Sequence, residues 1–249
     1  MEKMLEVCVD SVESALAAAE GGAMRLELCA DLVVGGTTPG VTLLRTVKRE
    51  TGLPVHVLVR PRFGDFLYTD REFALVLADA ELLLENGADA LVCGCLTADG
   101  DLDIPRMKAL VALAHGAGKR FTLHRAFDLC RDPFQALADC ERLGVDTILT
   151  SGQQNHCLDG AALLQELHRR ARSVEVLIGA GVDAQTIRLL RARIPQAGAF
   201  HMSGKRAAQS GMRYRKEGVH MGLPGMSEYE IYRTDAETVR QARAALFGA

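Results

Sequence analysis

Two short segments near the start of the chain carry the same residue types in the same order: LEVCVD over 5–10 and LELCAD over 26–31. Superposed, they match Glu6 with Glu27, Cys8 with Cys29 and Asp10 with Asp31 at a constant offset of 21 residues. In an extended segment alternate side chains share a face, so each Glu stands on the same side of its strand as the Cys two residues later. Neighbouring strands lie about 4.8 Å apart, which is expected to set the two thiols side by side. Paired thiolates suit a soft ion, Cu(I) or Zn(II), better than a hard cation, and Cu(I) accepts two ligands where structural zinc takes four. Cysteine is also an ordinary small buried residue. Filler, however, has no need of a carboxylate two positions before each thiol.

A second constellation joins cationic and imidazole side chains to carboxylates: RPRFGDF over 60–66 and TLHRAFD over 122–128. Arg60, Arg62, His124 and Arg125 could grip an anion while Asp65 and Asp128 orient them, or the same residues could form an ion-pair belt. TSG at 150–152, GAGV at 179–182 and HMSG at 201–204 follow later apolar runs. They place Ser151, Gly181, His201 and Ser203 where Gly-rich turns present backbone N–H groups to an anion, or where they serve only as turns. GGTTPG, 35–40, reads as a lid or as a plain connecting turn. Cys93 and Cys95 read as core thiols, while Cys130, Cys140 and Cys157 fall on loops or helices with no assigned role.

The elements that must position these residues repeat eight times. Short apolar runs at 4–9, 25–29, 55–60, 88–95, 120–126, 147–151, 174–179 and 199–203 read as strands. Amphipathic segments at 11–19, 41–49, 71–86, 104–114, 133–143, 160–171, 183–193 and 235–246 read as helices. Strand and helix alternating eight times within 249 residues is the arithmetic of an α/β fold closed as a TIM-type (β/α)8 barrel, an open doubly wound sheet being the alternative. Closure is favoured by polar residues at alternate strand positions, among them Glu6, Arg25, Glu27, His56, Arg60, Thr122, His124 and His201, which an open sheet covered on both faces would mostly replace with apolar ones. No stretch reads as a linker, so 1–249 is expected to form one domain. About thirty irregular residues, 204–233, precede the last helix and are expected to cover a barrel end or an oligomer surface.

Composition narrows the partners. Against 29 Lys and Arg stand 32 Asp and Glu, so no basic surface is expected to attract nucleic acid. Twelve aromatics and no Trp argue against stacking platforms for single strands. Charged residues interrupt the first twenty positions where a secretory signal needs apolar ones, and no apolar run approaches the roughly 18 residues that span a bilayer. The expectation is therefore a cytoplasmic protein without a membrane partner, and its seven Cys are read as free thiols.

The segment 5–30, together with GGTTPG, RPRFGDFLYTDREF, TLHRAFD, LTSGQ and the late GMRYR at 211–215, resembles the CutC family of copper homeostasis proteins. The similarity runs from the first strand to the last helix; one departure is Phe63, where the family's RPRxGDF pattern has Gly. The resemblance implies a TIM-type barrel, a cytoplasmic location in bacteria, copper as the bound ion and a homo-oligomer. The Cu(I) ligands it implies are a Cys pair matching Cys8 and Cys29. Two functions follow as expectations: a Cu(I)-binding homeostasis protein in which Glu6, Glu27 or a thiol from elsewhere tunes the site, or a barrel enzyme acting on a small anionic or phosphorylated metabolite. In the second, Arg60, Arg125, Ser151, Gly181 and Ser203 bind the anion and Glu27, His124 or Asp128 moves protons.

Overall fold

The structure is a computed structural model and describes residues 3–219, 221–222 and 225–248. Eight parallel strands, β1 (Met4–Val9), β2 (Arg25–Leu28), β3 (Val55–Leu58), β4 (Ala90–Cys93), β5 (Arg120–Leu123), β6 (Thr147–Thr150), β7 (Glu175–Ile178) and β8 (Ala199–Met202), close into a barrel in chain order. The helices are α1 (Val12–Glu20), α2 (Val41–Thr51), α3 (Asp70–Glu85), α4 (Ile104–Gly116), α5 (Pro133–Leu143), α6 (Ala161–Arg170), α7 (Ala184–Arg193) and α8 (Ala236–Phe247). The eightfold alternation read from the sequence is the observed architecture.

Local chemistry sets the element ends. Ser11, Thr69, Asp103, Asp132, Asp183 and Asp235 each accept a hydrogen bond from a first-turn amide, the N-cap arrangement that satisfies otherwise orphaned donors. Thr69 and Glu72 complete a reciprocal capping box. Several strands are shorter than their apolar runs. Residues 59–60, 94–95 and 124–126 leave the ladder to become mouth loops, and Arg125–Leu129 turns as a short 3-10 helix whose first free amide, Ala126 N, donates to His124 Nδ1 at 3.1 Å.

Two apolar regions result from the strand alternation. The large one, with Leu5, Val7, Leu26, Leu91, Phe121 and Phe200 fully buried, fills the space between barrel and helices. Inside the barrel two small groups remain, Met4, Leu149, Leu177 and Ala199 in one and Cys8, Cys29, Leu58 and Val92 in the other. The rest of the interior is polar, which is what the recurring polar strand positions require.

The stretch 204–233 is not wholly irregular. β9 (Lys205–Gln209) and β10 (Glu230–Thr234) pair as an antiparallel ribbon, exposed except at Thr234. Its base is fastened to the barrel by Thr234 N donating to Ser14 Oγ at 3.2 Å and Thr234 Oγ1 donating to Ser203 O at 3.1 Å. Part of the connection, around Met221, Gly222 and Met226, forms a hollow with Asp31, Val33 and Val34.

The β6–α6 connection leaves no room at Gly160: a Cβ there would collide with the Ser151 carbonyl oxygen and lie 2.9 Å from Gly152 Cα. Gly160→Ala is expected to destabilise the protein by about 1–3 kcal/mol in urea unfolding. Gly116→Ala, in the last turn of α4 with nothing within 4 Å, should instead be neutral or stabilise by up to about 1 kcal/mol. Equal behaviour of the two would show that this contact is not tight.

Candidate functional site

A carboxylate lies at the heart of the barrel. Glu6 is 1% exposed and accepts from Arg25 Nε at 2.5 Å and from His201 Nδ1 at 2.7 Å, while His56 Nδ1 stands 3.7 Å away. The ladder explains the meeting, because Glu6 pairs in register with Arg25 on β2 and with His201 on β8. Burial by itself would push the Glu6 carboxyl up; the Arg25 guanidinium and His201 outweigh it and hold the group well below the usual carboxylate range. His56 goes the other way: burial, helped by Arg25, brings it down to about 4.

One layer nearer the mouth, the register pairs Cys8 with Glu27 and not with Cys29. The side-by-side thiols expected from the repeat offset are therefore staggered, with Cys29 two residues further along its strand. The ligand atoms of Cys8, Glu27 and His201 lie within 4.8 Å of one another. Cys29 lies outside that set, its thiol donating to Glu27 Oε2 at 3.4 Å. Burial and the adjoining Glu27 raise the Cys29 thiol well above its ordinary value. Burial also raises Glu27, against the lowering influence of His201. His201 is held protonated well above its ordinary value: burial opposes this, but Cys8, Glu27 and Glu6 prevail. Because Glu6 fixes the His201 Nδ1 proton, Nε2 faces Glu27 Oε2 at 3.8 Å.

Cys8, Glu27 and His201, but not Cys29 or Glu6, form part of the wall of a cavity of about 510 Å³ at the carboxyl ends of the strands. Arg60, Phe66 and His124 line the side reached from β3 and β5; Ala180, Gly181 and Val182 line it after β7, and Met202 and Ser203 at the end of β8. Arg60 is 8% exposed, and its terminal nitrogens donate to Gly36 O at 3.2 Å and Gly64 O at 2.7 Å, which fastens two mouth loops together. The loop 35–40 is likewise pinned: Thr37 exchanges backbone hydrogen bonds with Ala30, and Thr38 Oγ1 accepts from Arg60 N. Gly36 presses on β3 and on Cys29: a Cβ there would lie 2.7 Å from Leu58 Cδ2 and 3.4 Å from Cys29 Sγ.

Other residues singled out in the sequence are held by their own loops, and of these Arg125 and Asp128 stand at the cavity wall. Arg62 bonds Glu72 at 2.6 Å and Asp65 at 3.0 Å, outside the cavity lining. Asp128 accepts from Thr150 Oγ1, Ser151 N, Ser151 Oγ, Gln153 N and Arg125 Nε, so it organises the β6 loop. Ser151 is used up within that network, and Arg125 is tied to Asp128 and Ser151 although it borders the cavity. Arg25, His56 and Phe66 had no assigned role; the alternation of inward polar positions already contained the first two.

A family model described as the CutC family matches residues 3–205. A CutC family protein of Chromobacterium violaceum is 44% identical over 249 residues, covering 99% of each chain. The human copper homeostasis protein cutC homolog is 42% identical over 245 residues, covering 97% of this chain and 88% of its own. A CutC crystal structure from Streptococcus agalactiae superposes with a TM-score of 0.75 at 27% identity, over 81% of this chain and 98% of that one. The 3-hexulose-6-phosphate synthase of Salmonella typhimurium, with a TM-score of 0.59 at 14% identity over 98% and 99%, is alike in fold alone.

In metal-free protein, imidazole nitrogen shifts followed against pH should find His124 neutral down to about pH 3 and His56 down to about pH 4, with His201 still protonated at neutral pH. An unfolded chain protonates these rings near pH 6.5, so His56 and His124 each remove about 1.4 kcal/mol of stability per pH unit as the pH falls below that value. The His201 contribution has the opposite sign, fully present below about pH 6.5 and lost as the pH rises towards its folded value. A His124 ring that titrates near 6.5 would contradict the burial described here.

Proposed function

The chain belongs to the CutC family, and from that premise we propose that it serves copper homeostasis by holding Cu(I) at the barrel mouth through Cys8 and Cys29, with His201 and Glu27 completing the site. The observation that carries this reading is the set formed by Cys8, Glu27 and His201, whose ligand atoms lie within 4.8 Å, with the Cys29 thiol on the same carboxylate. Thiolate and imidazole are soft and borderline donors that favour Cu(I), and the copper is cargo here. Glu6 takes the role that a carboxylate plays behind a metal-binding histidine, fixing the ring so that Nε2 is presented. Glu27 accepts from the Cys29 thiol at 3.4 Å in the metal-free protein, and the ion takes the place of that proton on binding.

All seven cysteines are free and buried, and among the described residues no helix is long and apolar enough to cross a membrane. Both facts suit a reducing, cytoplasmic setting, which we include in the proposal. The homo-oligomer belongs to it too, supported by the exposed ribbon with Ile231 at 40% and Tyr232 at 45%. Ile231→Ser with Tyr232→Ser is expected to reduce the mass in solution to that of one chain; an unchanged mass would remove the ribbon from any interface.

Cu(I) titrated against a competing chelator tests the central claim. Cys8→Ser and Cys29→Ser should each weaken binding, and Glu6→Gln, which keeps both thiols, should weaken it by about 10–100-fold. Affinity should rise with pH, since the Cys29 thiol must lose a proton that burial holds on it. Unchanged affinity in both cysteine variants would end the claim.

A further inference from the structure

A cavity of about 510 Å³ is much larger than an ion held by Cys8, Cys29 and His201 requires. It falls instead within the range of about 300–1,000 Å³ found for small-molecule sites. Its chemistry is also divided. Cys8, Glu27 and His201 come from β1, β2 and β8, whereas His124 directly follows β5, which stands across the ring from β1.

The residues that follow β3 and β5 hold two buried donors without acceptors. The Arg60 terminal nitrogens are committed to loop carbonyls, yet its Nε–H has no partner among the described residues. His124 Nδ1 accepts from Ala126 N, so the proton of the neutral ring sits on Nε2, which likewise has no partner. Both side chains are more than nine-tenths buried, Arg60 at 8% and His124 at 5% exposure. Phe66 holds them as a unit, its ring centroid 4.6 Å from that of His124 and 5.0 Å from the Arg60 Cζ. A buried N–H left unpaired forfeits the hydration it had in the unfolded chain, so an oxygen acceptor entering there binds with that deficit restored. An anionic oxygen is favoured over a neutral one, because Arg60 brings the positive charge.

After β7 the backbone adds a further pair of donors. Gly181, at φ +75°, lines the cavity with Val182, and neither amide donates to a backbone or side-chain acceptor among the described residues. Leu32, Val34, Leu58 and Leu129 supply apolar surface between these polar regions.

We propose that the mouth cavity is a binding site for a small organic oxyanion, a carboxylate or phosphate ester of a few carbons. Its anionic oxygens pair with Arg60 Nε–H and His124 Nε2–H, its carbons rest on the leucine and valine surface, and a second polar group meets the Gly181 and Val182 amides. The site needs no metal, so it stands or falls apart from the Cu(I) reading.

The test uses the full chain, stripped of metal, with glycerol 3-phosphate and glycerate as probes and uncharged glycerol as the control. At about 10 mM at least one of the two anions should raise the melting temperature where glycerol does not, and whichever acts identifies the anionic group. His124→Asn keeps an oxygen able to accept from Ala126 N and removes the Nε2 donor; it should weaken binding about tenfold or more. Should that variant fail to fold, the His124 Nε2–H resonance of the unaltered protein decides, since it must shift on titration with the active anion. No stabilisation by either anion, equal affinity in His124→Asn, or an unmoved Nε2–H resonance would mean that water alone serves these donors, and the proposal would be overturned.

Discussion

A carboxylate sealed inside a barrel has to be answered by positive charge, and the arrangement of this mouth follows from how Glu6 is answered. Arg25 from the next strand and His201 from the last strand converge on it, so one buried charge ties both seam partners of β1 together. Removing one partner of such a buried pair typically costs about 3–5 kcal/mol, because the other charge is left uncompensated. The cluster is a requirement of the interior as built, and its consequence for chemistry is that His201 has one permitted orientation.

From that orientation the next layer is built. His201 turns Nε2 towards Cys8 and Glu27, and Glu27 in turn engages the Cys29 thiol. Protonation in this layer is collective: the water-poor space pushes a carboxyl and a thiol up, while Cys8, Glu27 and Glu6 hold the His201 imidazole charged against it. A soft cation replaces protons in such a place more readily than a hard, strongly hydrated one.

The rim is made rigid by residues that look catalytic in sequence. Asp128 gathers five hydrogen-bond donors from its own turn and the β6 loop, Arg62 straps the segment after β3 to α3, and Arg60 joins two loops with its terminal nitrogens. Among the described residues these loops leave unspent one N–H on Arg60, one on His124 and the amides of Gly181 and Val182 after β7. The same mouth thus combines the thiol, carboxylate and imidazole of Cys8, Glu27 and His201 with the unpaired donors of Arg60 and His124 around one cavity.

The alternation of short apolar runs with amphipathic segments settled the barrel, because strand and helix periods are written locally and eight parallel crossovers leave few closed solutions. It also settled which residues face inward, since a strand turns every second side chain to the same face: Glu6, Cys8, Glu27 and His201 were legible for that reason. The repeat of LEVCVD and LELCAD could not say which residues stand opposite each other. Register depends on how the ring closes and staggers its strands, and the observed stagger set Cys8 beside Glu27 instead of beside Cys29. The engagement of Arg62, Asp65, Asp128 and Ser151 with loops, and the pairing of Lys205–Gln209 with Glu230–Thr234, were equally beyond reach. Those depend on partners 3 to 25 or more residues away meeting in three dimensions, where a donor's choice among acceptors is made by distance and burial and leaves no periodic trace in the chain.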